Sequence, residues 1–445
     1  MTVSARPIHR VENLVPDTSQ QIRNLSVDEA RSRLLEGGAP SVSDIEGSFA
    51  LVARDGERVL LARSLDRPMR YFLAKEVAGP LLVLADRIDA IKAFLESQGY
   101  ADQFHPTYTR MVPAHHVMEI RLVGCPDPNP QYHRFFDPPR GTLSADLDVI
   151  GKRYVEALRT EVGLWLDFIP EQAPIGVLFS GGIDSGAVLV ALHDTLLARG
   201  ESAARVKAFT LAADGGGSDA AQAREFLTRT GLEFLGEEIE VHATDIDADA
   251  AVSIIEDYKP LDVECAAVNL ALLGAIRDRY PDWHYLMDGD GGDENLKDYP
   301  IEANPELTIR SVVNNRMLYQ EGWGVDAIKH SLTYSGGQSR GCVRGYAPAT
   351  HFGFTAFSPN TAPRVIKVAE AIPFAEITSG SHDKLYELKG EVIARGIRQV
   401  FDRDFPIFPK QRFQHGAVSA NVLAERLSET EEHYRDVFLA LHQQA

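Results

Sequence analysis

Positive charge is in short supply in this sequence. Across 445 residues, 45 Lys and Arg stand against 64 Asp and Glu, a formal net charge of −19. Nucleic-acid binding is dominated by phosphate contacts from Lys and Arg. No Lys/Arg run offsets the deficit, so no nucleic-acid partner is expected. Cysteine is scarce as well. Cys125, Cys265 and Cys342 are far apart, odd in number and form no C-x-x-C pair. A disulfide framework and a zinc site are thereby disfavoured, and free buried thiols in a reducing cytoplasm are expected. Long apolar runs are missing too. None approaches the roughly 18 residues of a membrane-spanning helix, and the opening MTVSARPIHRVEN lacks the apolar core of a signal peptide. A cytoplasmic protein with no membrane partner follows as an expectation. The chain also has no GxxxxGK[ST] phosphate loop.

What is present suits a globular protein of two or three domains, since 44% of residues are hydrophobic and can fill sizeable cores. Residues 1–43 are polar and weakly patterned. From Val42 onward short strands are predicted. Ser48–Arg54 and Arg58–Arg63 flank an Asp55-Gly56 turn, a hairpin signal. Pro80–Ala85 and Val117–Leu122 read as further strands, and Ile88–Ser97 as a short helix. The segment Phe136–Gly141 (FDPPRG) reads as a linker. Ser144 then offers an N-cap for a helix to about Trp165.

Beyond that point the pattern changes. Apolar strand runs at Ile175–Phe179, Val206–Ala212, Glu238–Val241 and His284–Met287 alternate with helical stretches, including Ser185–Ala198 and about Ser218–Thr230. This alternation predicts an α/β fold with a doubly wound parallel sheet. Everything after about Asn304 reads as mainly helical.

The most informative string is Val177–Ser185, VLFSGGIDS. A strand delivers the chain to the carboxyl edge of the sheet, where ligands of open α/β sheets bind. Gly181 and Gly182 let backbone N–H groups approach an anion, and the next helix points its positive end at the same place. Ser180 and Ser185 add hydroxyls. Asp184 beside a phosphate site makes sense if a divalent cation lies between them.

SGGIDS resembles the pyrophosphate loop of the N-type ATP pyrophosphatases, among them asparagine, GMP, argininosuccinate, lysidine and β-lactam synthetases. Two further segments resemble the asparagine synthetase and β-lactam synthetase branch. Asp288–Tyr299 (DGDGGDENLKDY) is similar to an S-G-E-G-S-D-E segment, and Phe408–Gly416 (FPKQRFQHG) to a K-x-x-F-x-x-G segment. The resemblance implies ATP and Mg2+ as cofactors. It implies a phosphate seat at Ser180, Gly181, Gly182, Asp184, Ser185 and Gly289, with Leu178 and Leu211 flanking the adenine. Asp184 and Asp293 would bind magnesium. Lys410 would stabilise charge on the α-phosphate, and Asp290, standing where relatives have Glu or Tyr, would assist an incoming amine. Residues 44–91 resemble the later half of a glutaminase domain. An α+β, Ntn-hydrolase-like domain over residues 1–140 is therefore expected ahead of a synthetase domain over 145–445. A glutaminase of that kind needs a cysteine nucleophile at position 2; Thr2 stands there.

The implied reaction is adenylation of a small-molecule carboxylate, then attack by a nitrogen nucleophile not taken from glutamine, in keeping with specialised metabolism such as antibiotic biosynthesis. A tRNA-modifying enzyme of the same loop type and a catalytically inactive regulatory homologue stay open as alternatives. A homodimer is left open as well.

Overall fold

The computed structural model describes residues 8–121, 130–213, 218–298, 342–408, 418, 425–427 and 430–442. Its first part is a layered α+β unit. Strands β1 (Arg10–Asn13), β2 (Gln21–Ile22), β3 (Gly47–Ser48), β4 (Ala50–Asp55), β5 (Arg58–Arg63), β6 (Arg70–Lys75), β7 (Pro80–Ala85), β8 (Arg110–Met111), β9 (His116–Arg121) and β10 (Gln131–Arg134) build it, with helices α1 (Val27–Val42) and α2 (Ile88–Ser97). Two four-stranded sheets, β1-β7-β6-β8 and β10-β9-β5-β4, stack face to face.

The period-2 alternation of strand side chains makes four layers. On β5, Val59 and Leu61 join the core between the sheets, while Leu60 and Ala62 face α1. On β7, Leu82 and Leu84 point to the inner core, while Leu81 and Val83 pack with Ile91 and Leu95 of α2. The predicted hairpin is present as β4 and β5. Helix α1 falls in the stretch expected to be weakly patterned. It begins at a capping box in which Glu29 N donates to Ser26 Oγ at 3.3 Å and Ser26 N to Glu29 Oε2 at 2.8 Å. A kink at Gly38 and a proline at Pro40 break its periodicity.

The second part contains helices α3 (Leu147–Phe168), α4 (Ile183–Ala198), α5 (Asp219–Thr230), α6 (Ala248–Ile255), α7 (Pro260–Arg279) and α8 (Gly292–Leu296), with strands β11 (Ile175–Leu178), β12 (Val206–Ala213), β13 (Gly236–Val241), β14 (Tyr285–Met287) and β15 (Thr355–Phe357). Asp146, not Ser144, caps α3, accepting from Asp148 N at 2.8 Å. The strands form one sheet in the order β13-β12-β11-β14-β15, with every pairing parallel. Helices cover both faces. Those of α3, α4, α5 and His382–Phe401 share one core, and those of α6, α7 and Glu431–His442 the other. The doubly wound sheet is as expected. Beyond Asn304 the described residues are mainly helical, as expected, and add the short fifth strand β15 to the sheet. Strand order reverses between β11 and β14, and ligands of such sheets bind at that switch point, outside the carboxyl ends of the strands. Among the described residues no helix is long and apolar enough to cross a membrane.

Candidate active site

Two loops leave the sheet at the switch point. The first follows β11. Gly181 has φ +75°, a conformation that favours glycine, and a Cβ there would lie 2.6 Å from Ala223 N of α5. Gly182 caps α4 in extended conformation with no side-chain cap, so the first N–H groups of a 16-residue helix remain for an anion. Inside the loop, Ser180 N donates to Ser185 Oγ and Gly182 N to Ser180 Oγ, both at 3.3 Å. Ser185 is buried and braces the turn.

The second loop, Asp288–Gly291, follows β14 and leads into α8. It presses backbone to backbone on the first. A Cβ on Gly289 would lie 2.6 Å from Ser185 N, and one on Gly292 2.0 Å from Asp184 Oδ1. Gly289 is thus required for the two loops to meet. A buried network holds the second loop from behind. Asn295 Nδ2 donates to Tyr154 Oη at 3.0 Å, Tyr154 Oη to Asn360 Oδ1 at 3.1 Å, and Asn360 Nδ2 to the carbonyl of Gly289 at 3.1 Å.

Where the loops converge, Asp184 and Asp293 share one cation. Lys389, on the helix His382–Phe401, donates from Nζ to Asp184 Oδ2 at 2.6 Å and to Asp293 Oδ1, and lies 3.4 Å from Asp298 Oδ2. Burial works against its charge, but Asp184, Asp293 and Asp298 outweigh burial and hold the ammonium well above the ordinary lysine value. Two hard-oxygen carboxylates aimed at one point fit a magnesium ion, which typically takes one or two carboxylates and completes its shell with phosphate oxygens and water. An all-protein cage is not needed, and no group of three or more His, Cys, Asp or Glu gathers as one among the described residues.

Asp288 and Asp290 lie alongside. A Cβ added at Gly345 would come 3.1 Å from Asp290 Oδ2 and 3.5 Å from Asp288 Oδ2. Ser358 Oγ donates to Asp288, and so does Asp290 N at 3.0 Å. Burial and the neighbouring Asp288 push the Asp290 carboxyl above the ordinary carboxylate range, against the pull of Arg344. Arg344 is fixed by Asp262 at 3.4 Å and Glu294 at 3.8 Å.

The structure therefore brings together Ser180, Gly181, Gly182, Asp184, Ser185, Gly289, Asp290 and Asp293. Leu178 and Leu211 sit toward the carboxyl ends of adjacent strands; Leu178 pairs with Phe209, two residues before Leu211, so both face the same side. Lys410 and the Gly215–Gly217 turn lie outside the described residues. Sequence reasoning missed Lys389, Arg344, Tyr154, Asn295 and Asn360. Lys389 is separated from Asp184 by 205 residues and from Asp293 by 96, and only the fold joins them.

Fold and site together define a nucleotide-binding α/β domain of the synthetase type. Residues 170–334, which include both loops, match the family model described as asparagine synthase, which supports an asparagine synthetase-like family for this domain. Its members are ATP-dependent ligases that make carbon–nitrogen bonds. No curated protein matches the chain.

Proposed function

We propose that this protein adenylates a small-molecule carboxylate with ATP and joins it to a nitrogen nucleophile, releasing AMP and pyrophosphate. The observation that carries this reading is the backbone contact of the Ser180–Ser185 and Asp288–Asp293 loops at the switch point of the sheet. The uncapped N-terminus of α4 and the glycine backbone bind the departing pyrophosphate. Leu178 and Leu211 flank the adenine. Asp184 and Asp293 would hold magnesium, which when bound neutralises phosphate charge. The substrate carboxylate oxygen attacks the α-phosphorus as the bond to the β-phosphate oxygen breaks. Lys410 stabilises the charge that develops there. The nucleophile nitrogen then attacks the acyl carbon, the bond to AMP breaks, and Asp290 takes the proton from nitrogen.

The nitrogen does not come from glutamine. The first part of the chain resembles a glutaminase domain in sequence over residues 44–91, yet Thr2 stands where that chemistry needs a cysteine nucleophile. Arg63, in the part that resembles a glutaminase, is spent on structure: Nε donates to the Val112 carbonyl and Nη1 to the Arg67 carbonyl at 2.7 Å. A domain that keeps its fold without this chemistry suits an enzyme of specialised metabolism.

The test is a pyrophosphate-exchange screen. Labelled pyrophosphate should enter ATP only with the cognate carboxylic or amino acid. Exchange with none of a broad set, or exchange that needs tRNA, contradicts the reading.

A further inference from the structure

Lys389 approaches Asp184 and Asp293 from the interior. It is only 3% exposed, whereas the two carboxylates keep 25% and 40% of their side-chain surface open. A cation from solution reaches the same oxygens from the open side. Behind Lys389 stands Asp298, 6% exposed, with Oδ2 at 3.4 Å. Three carboxylates against one ammonium leave two formal negative charges, the amount that one divalent cation neutralises. Asp298 also offers the ammonium a partner that does not face the cleft.

We propose that Lys389 is a built-in counter-cation that shares Asp184 and Asp293 with the divalent metal ion, holding the two loops together before nucleotide arrives and weakening the binding of metal alone. The proposal rests on the reading of Asp184 and Asp293 as metal ligands. Its consequence is an order of events. A free metal ion meets carboxylates already partly neutralised and binds weakly. A metal ion carried by ATP brings phosphate oxygens that complete its shell and an anion that the helix end attracts. Lys389 is a positioning residue in this account.

The experiment measures Mn2+ binding without nucleotide, by the loss of the free-ion paramagnetic resonance signal, and follows thermal unfolding in parallel. Wild-type protein should bind Mn2+ weakly. Lys389→Met should bind it about tenfold or more tightly, the gain expected when a unit positive charge within about 4 Å of the site is removed. Lys389→Met should melt lower than wild type without metal and recover more on adding Mn2+. Adding Asp184→Asn should abolish the tighter binding. Equal or weaker Mn2+ affinity in Lys389→Met overturns the role of Lys389 while leaving the metal site standing. Absence of binding in both wild type and Lys389→Met overturns the metal site and this proposal with it. If Lys389→Met does not fold, the double variant Lys389→Gln with Asp298→Asn, which restores the buried charge balance, is measured in its place with the same outcomes.

Discussion

Asp219 stands in the first turn of α5, 6% exposed, and burial raises its carboxyl to about 7. The fold thus favours the protonated form. Its contribution to stability is fully present below the ordinary 3.8 and is lost as pH rises through about 7. Asp219→Asn should therefore unfold at higher temperature than wild type at pH 8. The difference should vanish below about pH 4, and a difference constant across pH would contradict it. Asp290 is tested by a different reading. As a base it must be ionised, and its raised pKa moves that ionisation upward from the usual carboxylate range. The amine-dependent step should accelerate with pH in that displaced window. Asp290→Asn should flatten the rise and slow the step about a hundredfold while pyrophosphate exchange survives. Lys410→Ala should instead lose about 3 kcal/mol of transition-state stabilisation in the adenylation step itself, read from the exchange rate on folded protein. At this scale the glycines and aspartates of the two loops were legible, because short motifs carry their own reason for each residue. Lys389 and Arg344 were not, because each acquires meaning only from carboxylates brought to it by the fold.

Among the elements, the turn between β11 and α4 tolerates little change. Gly181→Ala would place a methyl 2.6 Å from Ala223 N in a conformation with φ +75°. The clash is with helix backbone, so α5 has to move. Pyrophosphate exchange should fall at least about tenfold and the midpoint of thermal unfolding should drop, the left-handed conformation alone costing about 1–2 kcal/mol. Unchanged exchange would mean that the loop does not seat the pyrophosphate. The central strands of the sheet were legible as apolar runs between helical stretches. β15 was not, since three residues carry no periodicity and its place comes from pairing with β14. Helix α1 was not legible either, since the kink at Gly38 and the proline at Pro40 interrupt its amphipathic repeat.

In the whole molecule, the two parts are joined through buried charge. Glu256, with φ +51° at the end of α6, accepts from Ile88 N at 2.8 Å and Asp89 N at 2.9 Å, capping α2 of the first part. Arg87 Nη1 returns a bond to the Ile254 carbonyl at 2.7 Å. Glu161 of α3 takes Arg23 at 2.8 Å and Arg364 at 3.0 Å. Glu256→Ala should destabilise by about 1–2 kcal/mol through the loss of this cap, seen as a lower denaturant midpoint. No loss would mean that the joint does not bear on stability. None of this joint was legible beforehand, because its partners lie far apart in sequence: Ile88 and Glu256 are separated by 168 residues.

The bond at which ATP is cut distinguishes adenylation from phosphorylation. With the carboxylate identified by exchange, ATP labelled at the α-phosphate is incubated with that acid, an amine set that includes ammonia, and glutamine in a separate arm. AMP and pyrophosphate should form together with an amide-type product, only in the presence of the acid, and no glutamate should be released from glutamine. Formation of ADP and phosphate, or AMP formation that persists unchanged in Asp184→Asn, would contradict it.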